Sequence, residues 1–244
     1  MKKQIYKKYF LVFVLTSLFF IISPTAMAAG LFGPLQTVSR EAGGLNTAIG
    51  YRFYEDTYEK GADLNIRQNE IYSQAAYGAK NIWEVYGRIG IADLKIEDVF
   101  RDHEKFSGTL GAKAFYPVSP TWGVGAFVHG TYYFSNFTDN VSRNREMEMD
   151  KLWNVNGGMG IQMTLPCGTK LYAGPYLYYS EARMSLPSGV RDLGYSAGNF
   201  TVGNKSTAGG FAGLDIPLAK GFRLNVEGQY ADRFSAGAAI SYTY

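Results

Sequence analysis

The two histidines are the residues of this chain best suited to acid–base chemistry near neutral pH. His129 lies in the sequence FVHGT, where it would serve as a general base if a serine or carboxylate lay within hydrogen-bonding distance. No serine stands two residues away along the chain, although Thr131 does. His103 stands between Asp102 and Glu104, all residue types that bind metals. We predict that His129 is a packing residue and His103 a solvated loop residue, and therefore no catalytic site, metal site or cofactor.

Charged residues recur at alternate positions, opposite apolar ones. Glu84 and Arg88, for example, alternate with Trp83, Val85 and Ile89. Because alternate residues of a β-strand point to opposite faces, the charges share one face. If the strands close into a membrane barrel, that face must line the lumen, since a charge facing lipid costs about 2–4 kcal/mol at the midplane. The predicted lumen charge network is Arg52, Glu84, Arg88, Lys113, Asp215, Arg223 and Glu227.

About ten runs of alternating residues carry these side chains, all within residues 45–244. In the last run, residues 234–244, apolar or aromatic residues alternate with small or polar ones. Four connections are short (AKN, PVSP, PCGT and AKG), and those between them are mostly long and charged, the longest spanning residues 184–205. An even strand number with this asymmetry predicts an all-β protein, an antiparallel up-and-down transmembrane β-barrel with short periplasmic turns and longer outer loops.

The first 28 residues have the pattern of a secretory signal peptide. Four lysines precede an apolar run that is short for a membrane span, and Ala26-Met27-Ala28 is a small-x-small cleavage pattern. We predict cleavage after about Ala28, a periplasmic lead-in or plug segment at 29–44, and the barrel at 45–244. The chain has 24 basic and 21 acidic residues, so losing the four lysines leaves a nearly neutral protein with no feature of nucleic-acid binding. The lone Cys167 cannot form an internal disulfide.

Aromatic residues make up 16% of the chain, and glycine occurs 29 times, a composition typical of exported barrels. Several aromatic residues lie near run ends, where the amphipathic rings of Trp and Tyr suit the membrane interfaces. The predicted aromatic girdle is Trp83, Tyr116, Trp122, Tyr132, Phe134, Tyr242 and Tyr244.

The signal peptide, the alternating runs, the turn asymmetry and the terminal strand SAGAAISYTY together resemble small bacterial outer-membrane β-barrel proteins, the broad group that includes opacity-type barrels. The resemblance covers nearly the whole mature chain. It implies a cell outer-membrane location, contact with outer-membrane lipid, and recognition by the barrel-assembly machinery during biogenesis. The implied assembly signal is the last strand with its terminal aromatic residue, here Phe234, Ile240, Tyr242 and Tyr244.

A ten-stranded barrel is only slightly wider than the eight-stranded barrels whose interiors side chains fill. We therefore expect a non-enzymatic barrel with a narrow or filled lumen, serving a structural role, surface interaction or restricted passage of small solutes. Two alternatives stay open: an outer-membrane hydrolase resembling lipid A deacylases or omptins, and a soluble periplasmic barrel that binds a small ligand. The sequence leaves the ligand and the oligomeric state open.

Overall fold

The structure is a computed structural model that describes residues 31–35, 44–59, 63–79, 82–96, 100–142, 145–187, 198–219 and 221–244. The predicted signal peptide lies outside these residues. The regular elements of the described part are twelve β-strands: β1 (Gly44–Glu59), β2 (Asp63–Ala79), β3 (Trp83–Ile96), β4 (Phe100–Pro117), β5 (Trp122–Tyr133), β6 (Phe137–Ser142), β7 (Arg145–Thr164), β8 (Lys170–Leu186), β9 (Gly198–Asn204), β10 (Ala208–Pro217), β11 (Phe222–Tyr230) and β12 (Phe234–Thr243).

Ten of these strands close into a barrel by antiparallel pairing. The circuit runs through β1 to β5, then β7, β8, β10, β11 and β12, and β12 returns to β1 in the register Asn46↔Thr243 to Phe53↔Ala236. β6 and β9 lie at the outer end, where β6 pairs with β7, and β9 bridges β8 and β1. The predicted fold class and the strand number are confirmed.

The apolar face of each strand lies on the outside of the barrel. Ile49, Ile71, Ile89, Leu110 and Met159 are all exposed, whereas the inward residues at the same level are buried and mainly polar or tyrosine. A soluble ligand-binding barrel would place its apolar side chains inside. The observed arrangement is that of a barrel whose outer surface meets lipid.

No helix in the described part of the chain is long and apolar enough to span a membrane.

The strands extend farther toward the outer end than the sequence patterns predicted. Segments expected to be long charged loops continue as strands: β2 begins at Asp63, β4 at Phe100 and β7 at Arg145. The segment 184–205, expected to be the longest loop, contains the end of β8 and all of β9, and its residues 188–197 lie outside the described part. Several of the charges that suggested loops, such as Arg67 and Arg101, are exposed on these extensions, whereas Asp56 and Asp102 are buried. Charged strands of this kind resemble polar loops in the sequence, which accounts for the shorter prediction.

The exposed apolar residues form a band around the barrel, here called the apolar belt, and the strands continue beyond it toward the outer end as the outer extension. Where the strands enter this extension, many inward residues change from polar to apolar. On β2, for instance, Glu70 and Gln68 are followed toward the outer end by Ile66 and Leu64, all buried. These apolar residues form one core, here called the outer apolar cluster: Tyr58, Leu64, Ile66, Ala92, Leu94, Ile96, Phe100, Tyr133, Phe137, Met147, Met149, Leu152, Ala182, Met184, Leu186 and Val202. The outer extension is therefore held together like the core of a soluble protein.

A charge on the outward face should destabilise the barrel. Leu110, which is 77% exposed in the middle of the belt, would place a guanidinium in hydrocarbon if replaced by arginine. We expect Leu110→Arg to lower the free energy of unfolding by about 2–4 kcal/mol in lipid vesicles, measured by urea titration of tryptophan fluorescence. The matched control is His103→Arg, at an exposed site on the outer extension, which should leave stability nearly unchanged. Equal stability of both variants would contradict a lipid-facing belt.

Candidate functional site

The candidate site is the lumen of the barrel, where the predicted charges and residues 31–35 lie. Arg52, Glu84, Arg88, Lys113, Asp215 and Glu227 are buried, and Arg223 is half-buried. Most of these charges take part in ion pairs or in hydrogen bonds within the lumen.

The first group is an ion pair between Arg52 and Glu70. Glu70 also accepts a hydrogen bond from the hydroxyl of Ser107. Arg52 Nη2 donates to the Tyr133 hydroxyl at 3.0 Å, and that hydroxyl donates to Gln68 Oε1 at 3.0 Å. This polar layer lies directly below the outer apolar cluster, to which Tyr133 also belongs. Each charge is paired and hydrogen-bonded, as burial requires.

Arg88 and Lys113 form the second group, and both bind the main chain of the segment 31–35. Arg88 donates to Gln74 Oε1 and to the carbonyl oxygen of Leu31, both at 2.7 Å. Its guanidinium also lies over the rings of Tyr72 and Tyr86, 4.8 and 5.0 Å from their centroids.

Lys113 Nζ lies 3.9 Å from Glu84 Oε1 and donates to the carbonyl oxygen of Pro34 at 3.3 Å. Two inward cations thus each bind one backbone carbonyl group of residues 31–35, here called the inserted segment.

Glu227 binds backbone N–H groups of the inserted segment, whereas Arg88 and Lys113 bind its carbonyl groups. Its carboxylate accepts the backbone N–H groups of Phe32 and Gly33, both at 2.8 Å, and the Tyr172 hydroxyl at 2.9 Å. Gln229 Nε2 donates to it at 2.5 Å. A buried carboxylate is stabilised by several such donors.

Asp215 and Arg223 pair at 2.6 Å near the periplasmic end, where Arg223 also donates to the carbonyl oxygen of Gly168 at 2.9 Å.

The side chain of Phe32 lies among aromatic rings. Its ring centroid is 4.2 Å from Phe127, 4.9 Å from Tyr176, 5.2 Å from Phe211 and 5.4 Å from His129. Edge and tilted contacts at these distances are favourable beyond the area that they bury. Leu35 is completely buried in the same cluster. Residues 31–35 therefore pack against the lumen with both main-chain and side-chain contacts.

His129 is part of this packing. Its Nδ1 lies 2.8 Å from the Tyr86 hydroxyl, its ring contacts Phe32, and the side chain is buried. The neighbouring inward Thr131 is hydrogen-bonded to Thr109 at 2.8 Å.

His103 is exposed on β4, which corrects its predicted place in a loop. The adjacent Asp102 carboxylate accepts the backbone N–H groups of His103 and Thr138 at 2.6 Å and lies 3.1 Å from Lys105 Nζ. Within the described residues, no three His, Cys, Asp or Glu side chains group so as to hold a metal ion.

The residues proposed for the aromatic girdle all lie on the outward face of the barrel wall or near strand ends. Trp83, Tyr116, Trp122 and Tyr244 are exposed toward the periplasmic end, and Tyr132 and Phe134 toward the outer end. Tyr242 is half-buried between Phe222 and Tyr244, with centroids 4.8 and 4.9 Å away.

Of the residues implied as an assembly signal, Ile240 is exposed, and Phe234 lies at the outer start of β12, far from the terminal Tyr244.

Two parts of the site were not predicted from the sequence. Glu70, the partner of Arg52, was left out of the predicted charge network, although it stands next to outward Ile71 and thus on the inward face. The contacts of residues 31–35 have no periodic signal, because a short irregular segment carries no strand or helix repeat.

Taken together, a closed antiparallel barrel, an outward apolar belt and a polar lumen define a transmembrane β-barrel of the bacterial outer-membrane type. No family model and no curated protein matches the sequence.

Solved structures with a similar fold include an outer-membrane channel from Pseudomonas putida F1, with a TM-score of 0.52 at 8% identity over 88% of this chain and 100% of the channel. The translocator domain of the autotransporter NalP from Neisseria meningitidis has a TM-score of 0.47 at 11% identity, over 82% of this chain and 88% of that domain. OprG from Pseudomonas aeruginosa has a TM-score of 0.41 at 12% identity, over 84% and 98%. At these identities the likeness concerns the fold alone.

Proposed function

We propose that this chain is an integral outer-membrane barrel whose lumen is closed, and that it acts through its structure and its outer surface. The observation that carries this proposal is a pair of barriers in series within the described residues. The outer apolar cluster fills the outer extension, and residues 31–35 occupy the lumen at the level of the apolar belt.

The space left around the inserted segment is small. The cavity lined by Leu31 to Pro34 and the surrounding lumen residues has a volume of about 50 Å³. A cavity of this size has room for a few water molecules. A continuous water path would require the segment to leave.

The outer barrier is apolar, so it also opposes the entry of hydrated ions. Phe100, Phe137, Met147 and Met149 are each at most 1% exposed, and the buried Ser180 is hydrogen-bonded to the hydroxyl of Tyr58 in this cluster. Taking an ion through such a region would require its desolvation.

We also propose that the barrel is not an enzyme. His129 is the inward side chain best suited to acid–base catalysis, and its ring is covered by Phe32 and hydrogen-bonded to Tyr86. A substrate bound at His129 would have to displace the inserted segment. This supports a packing role for His129 over the hydrolase alternative.

The remaining elements of the proposal concern the surroundings of the barrel. The outward belt would contact outer-membrane lipid, and the aromatic residues at its two edges would lie at the membrane interfaces. The last strand, β12, would carry the residues recognised by the barrel-assembly machinery, and export would use a signal peptide cleaved after about Ala28.

Solute passage tests the proposed function. Liposomes containing the refolded protein should not swell faster than empty liposomes in isotonic solutions of arabinose or glycine. A general-diffusion porin inserted at the same protein-to-lipid ratio is the positive control, and protease protection should establish insertion. Swelling close to that of the porin would contradict a closed lumen and favour a channel.

A further inference from the structure

The inserted segment is bound through main-chain groups that any extended peptide offers, and through two positions that only particular residues fit. We propose that this part of the lumen is a peptide-binding site for an extended chain in which an aromatic residue is followed by glycine. The inserted segment is then its tethered occupant, which a free peptide can replace. This inference rests on the proposed closed lumen, because the same contacts close it, and it adds the class of partner that the lumen binds.

The polar contacts between the barrel and the inserted segment go to its main chain. The side chains of residues 31–35, with the sequence LFGPL, are all apolar. Glu227 accepts two successive backbone N–H groups, whereas Arg88 and Lys113 each donate to one backbone carbonyl oxygen. In peptide-binding proteins such main-chain hydrogen bonds supply affinity, and pockets for individual side chains supply specificity. The contacts therefore have the form of a peptide site.

The charged side chains of the site are positioned by the barrel wall as well as by the segment. Both Glu227 and Arg88 are buried. Tyr172 donates to Glu227 at 2.9 Å, and Arg88 donates to Gln74 at 2.7 Å. Because these partners belong to the strands, the groups stay oriented when the segment leaves. A site that is preorganised in this way binds a ligand at a lower entropic cost.

The first selective position is a pocket for an aromatic ring. Phe32 is completely buried, and its ring centroid lies 4.2 Å from Phe127, 4.9 Å from Tyr176 and 5.2 Å from Phe211. The contacts with Tyr176 and Phe211 are edge-on, a geometry that aromatic rings favour. A smaller or polar side chain would leave this pocket partly empty, so the pocket selects an aromatic residue.

The second selective position is Gly33, directly after the ring. Its φ of 72° lies in the left-handed region, which L-residues with a side chain rarely adopt. A Cβ atom at this position would also lie 3.1 Å from Lys113 Nζ, closer than most such contacts. The site therefore favours glycine. A D-residue adopts this φ without strain, so D-alanine and L-alanine should differ here although their composition is the same.

The site faces the periplasmic end of the barrel. Leu35 packs beside Gly125, only three residues after β5 starts at Trp122. The outer apolar cluster fills the opposite end. A free peptide would therefore enter from the periplasm, and the expected partner is an extended segment of another exported protein.

The test uses the full chain with its tethered segment weakened, because a tethered segment competes with a free peptide at a high effective concentration. Phe32→Ala removes the ring and leaves the pocket in the barrel unchanged. A second host, Gly33→Ala, weakens the backbone fit instead. Heat-modifiable gel mobility establishes that each barrel is folded. The probe is acetyl-Leu-Phe-Gly-Pro-Leu with a short Gly/Ser linker and a fluorophore at its C-terminal end, and fluorescence anisotropy in detergent micelles measures its binding.

Both hosts should bind the probe saturably, and the unaltered chain should bind it at least about tenfold more weakly, because its own segment occupies the site. A probe with alanine in place of phenylalanine, or with L-alanine in place of glycine, should bind at least about tenfold more weakly, whereas the D-alanine probe should bind nearly as well as the glycine probe. In the Phe32→Ala host, Glu227→Gln should weaken binding at least about tenfold, since it removes a charged acceptor. The matched control is Glu146→Gln, at an exposed site on β7, which should leave binding unchanged.

Absence of saturable binding to both folded hosts would overturn the peptide site, and if liposomes with the unaltered chain still did not swell, the closed lumen would stand. Equal affinity for the L-alanine and D-alanine probes would overturn the selection of glycine by the backbone. Binding to the unaltered chain as tight as to the Phe32→Ala host would show that the inserted segment does not occupy the site, which would contradict this inference and the proposed closure together.

Discussion

Replacement of Arg52 by methionine should lower the free energy of unfolding by about 3–5 kcal/mol, because Glu70 would stay buried without its cation. Both side chains are less than one-tenth exposed, and Arg52 also donates to Tyr133, whose hydroxyl would lose a donor. The measurement is equilibrium unfolding in urea of the protein reconstituted in lipid vesicles, followed by tryptophan fluorescence.

Two controls separate the loss of the pair from a general loss of packing. The double variant Arg52→Met with Glu70→Met removes both charges and should recover much of the lost stability, since an apolar pair of similar size avoids the uncompensated charge. The exposed pair of Lys205 and Asp63 at the outer end should tolerate Lys205→Met with little change. If the double variant were as unstable as Arg52→Met, the buried charge would not be the cause.

Replacement of Phe137 by alanine should destabilise the outer extension by about 3–5 kcal/mol, the usual cost of emptying a buried phenylalanine site. Phe137 is fully buried in the outer apolar cluster, with its ring 5.7 Å from that of Tyr133. The loss should be local, so we expect faster hydrogen exchange and proteolysis in β6 and in the outer part of β7 that pairs with it, while the barrel below stays paired.

The matched control for this prediction is Phe134→Ala, only three residues earlier in the chain. Phe134 is 65% exposed on the outer surface of the barrel. Its removal should leave the exchange rates of β6 and β7 close to those of the parent protein. Equal effects of the two substitutions would show that Phe137 does not lie in a packed core.

The barrel itself could be predicted from the sequence because its signal is local. Outward residues such as Ile89 and Ile91 alternate with inward Arg88 and Gly90, and this period of two is set by strand geometry alone. The inward placement of Arg88 and Glu227 followed from the same rule. The alternation of short turns with longer connections also indicated the number of strands and which end of the barrel faces the periplasm.

The outer extension was harder to predict because its apolar residues face inward and many of its charged residues face outward, which is the reverse of the pattern in the apolar belt. Outward Arg67 and Lys95 are charged there, while inward Ile66 and Leu94 are apolar, so the segments looked like polar loops. A period of two was present in both parts. What the sequence did not show is that the environment outside the barrel changes from lipid to water along one strand.

The inserted segment depends on contacts between residues far apart in the chain. Phe32 and Glu227 are separated by 195 positions, and their hydrogen bond has no local sequence signal. A plug was one of two expectations for residues 29–44, and the pattern could not decide between them. Only the closed barrel brings the carboxylate, the aromatic rings and the segment together.

The central claim is a lumen closed by two barriers, and single-channel conductance of the mature chain in a planar lipid bilayer tests it most directly. The prediction is insertion, shown by protease protection in the same lipid, with no discrete conductance steps. Deletion of residues 31–35 should still leave the outer apolar cluster as a barrier, whereas that deletion combined with Phe137→Ala should allow brief openings. Steady, discrete openings of the unaltered chain would contradict the claim.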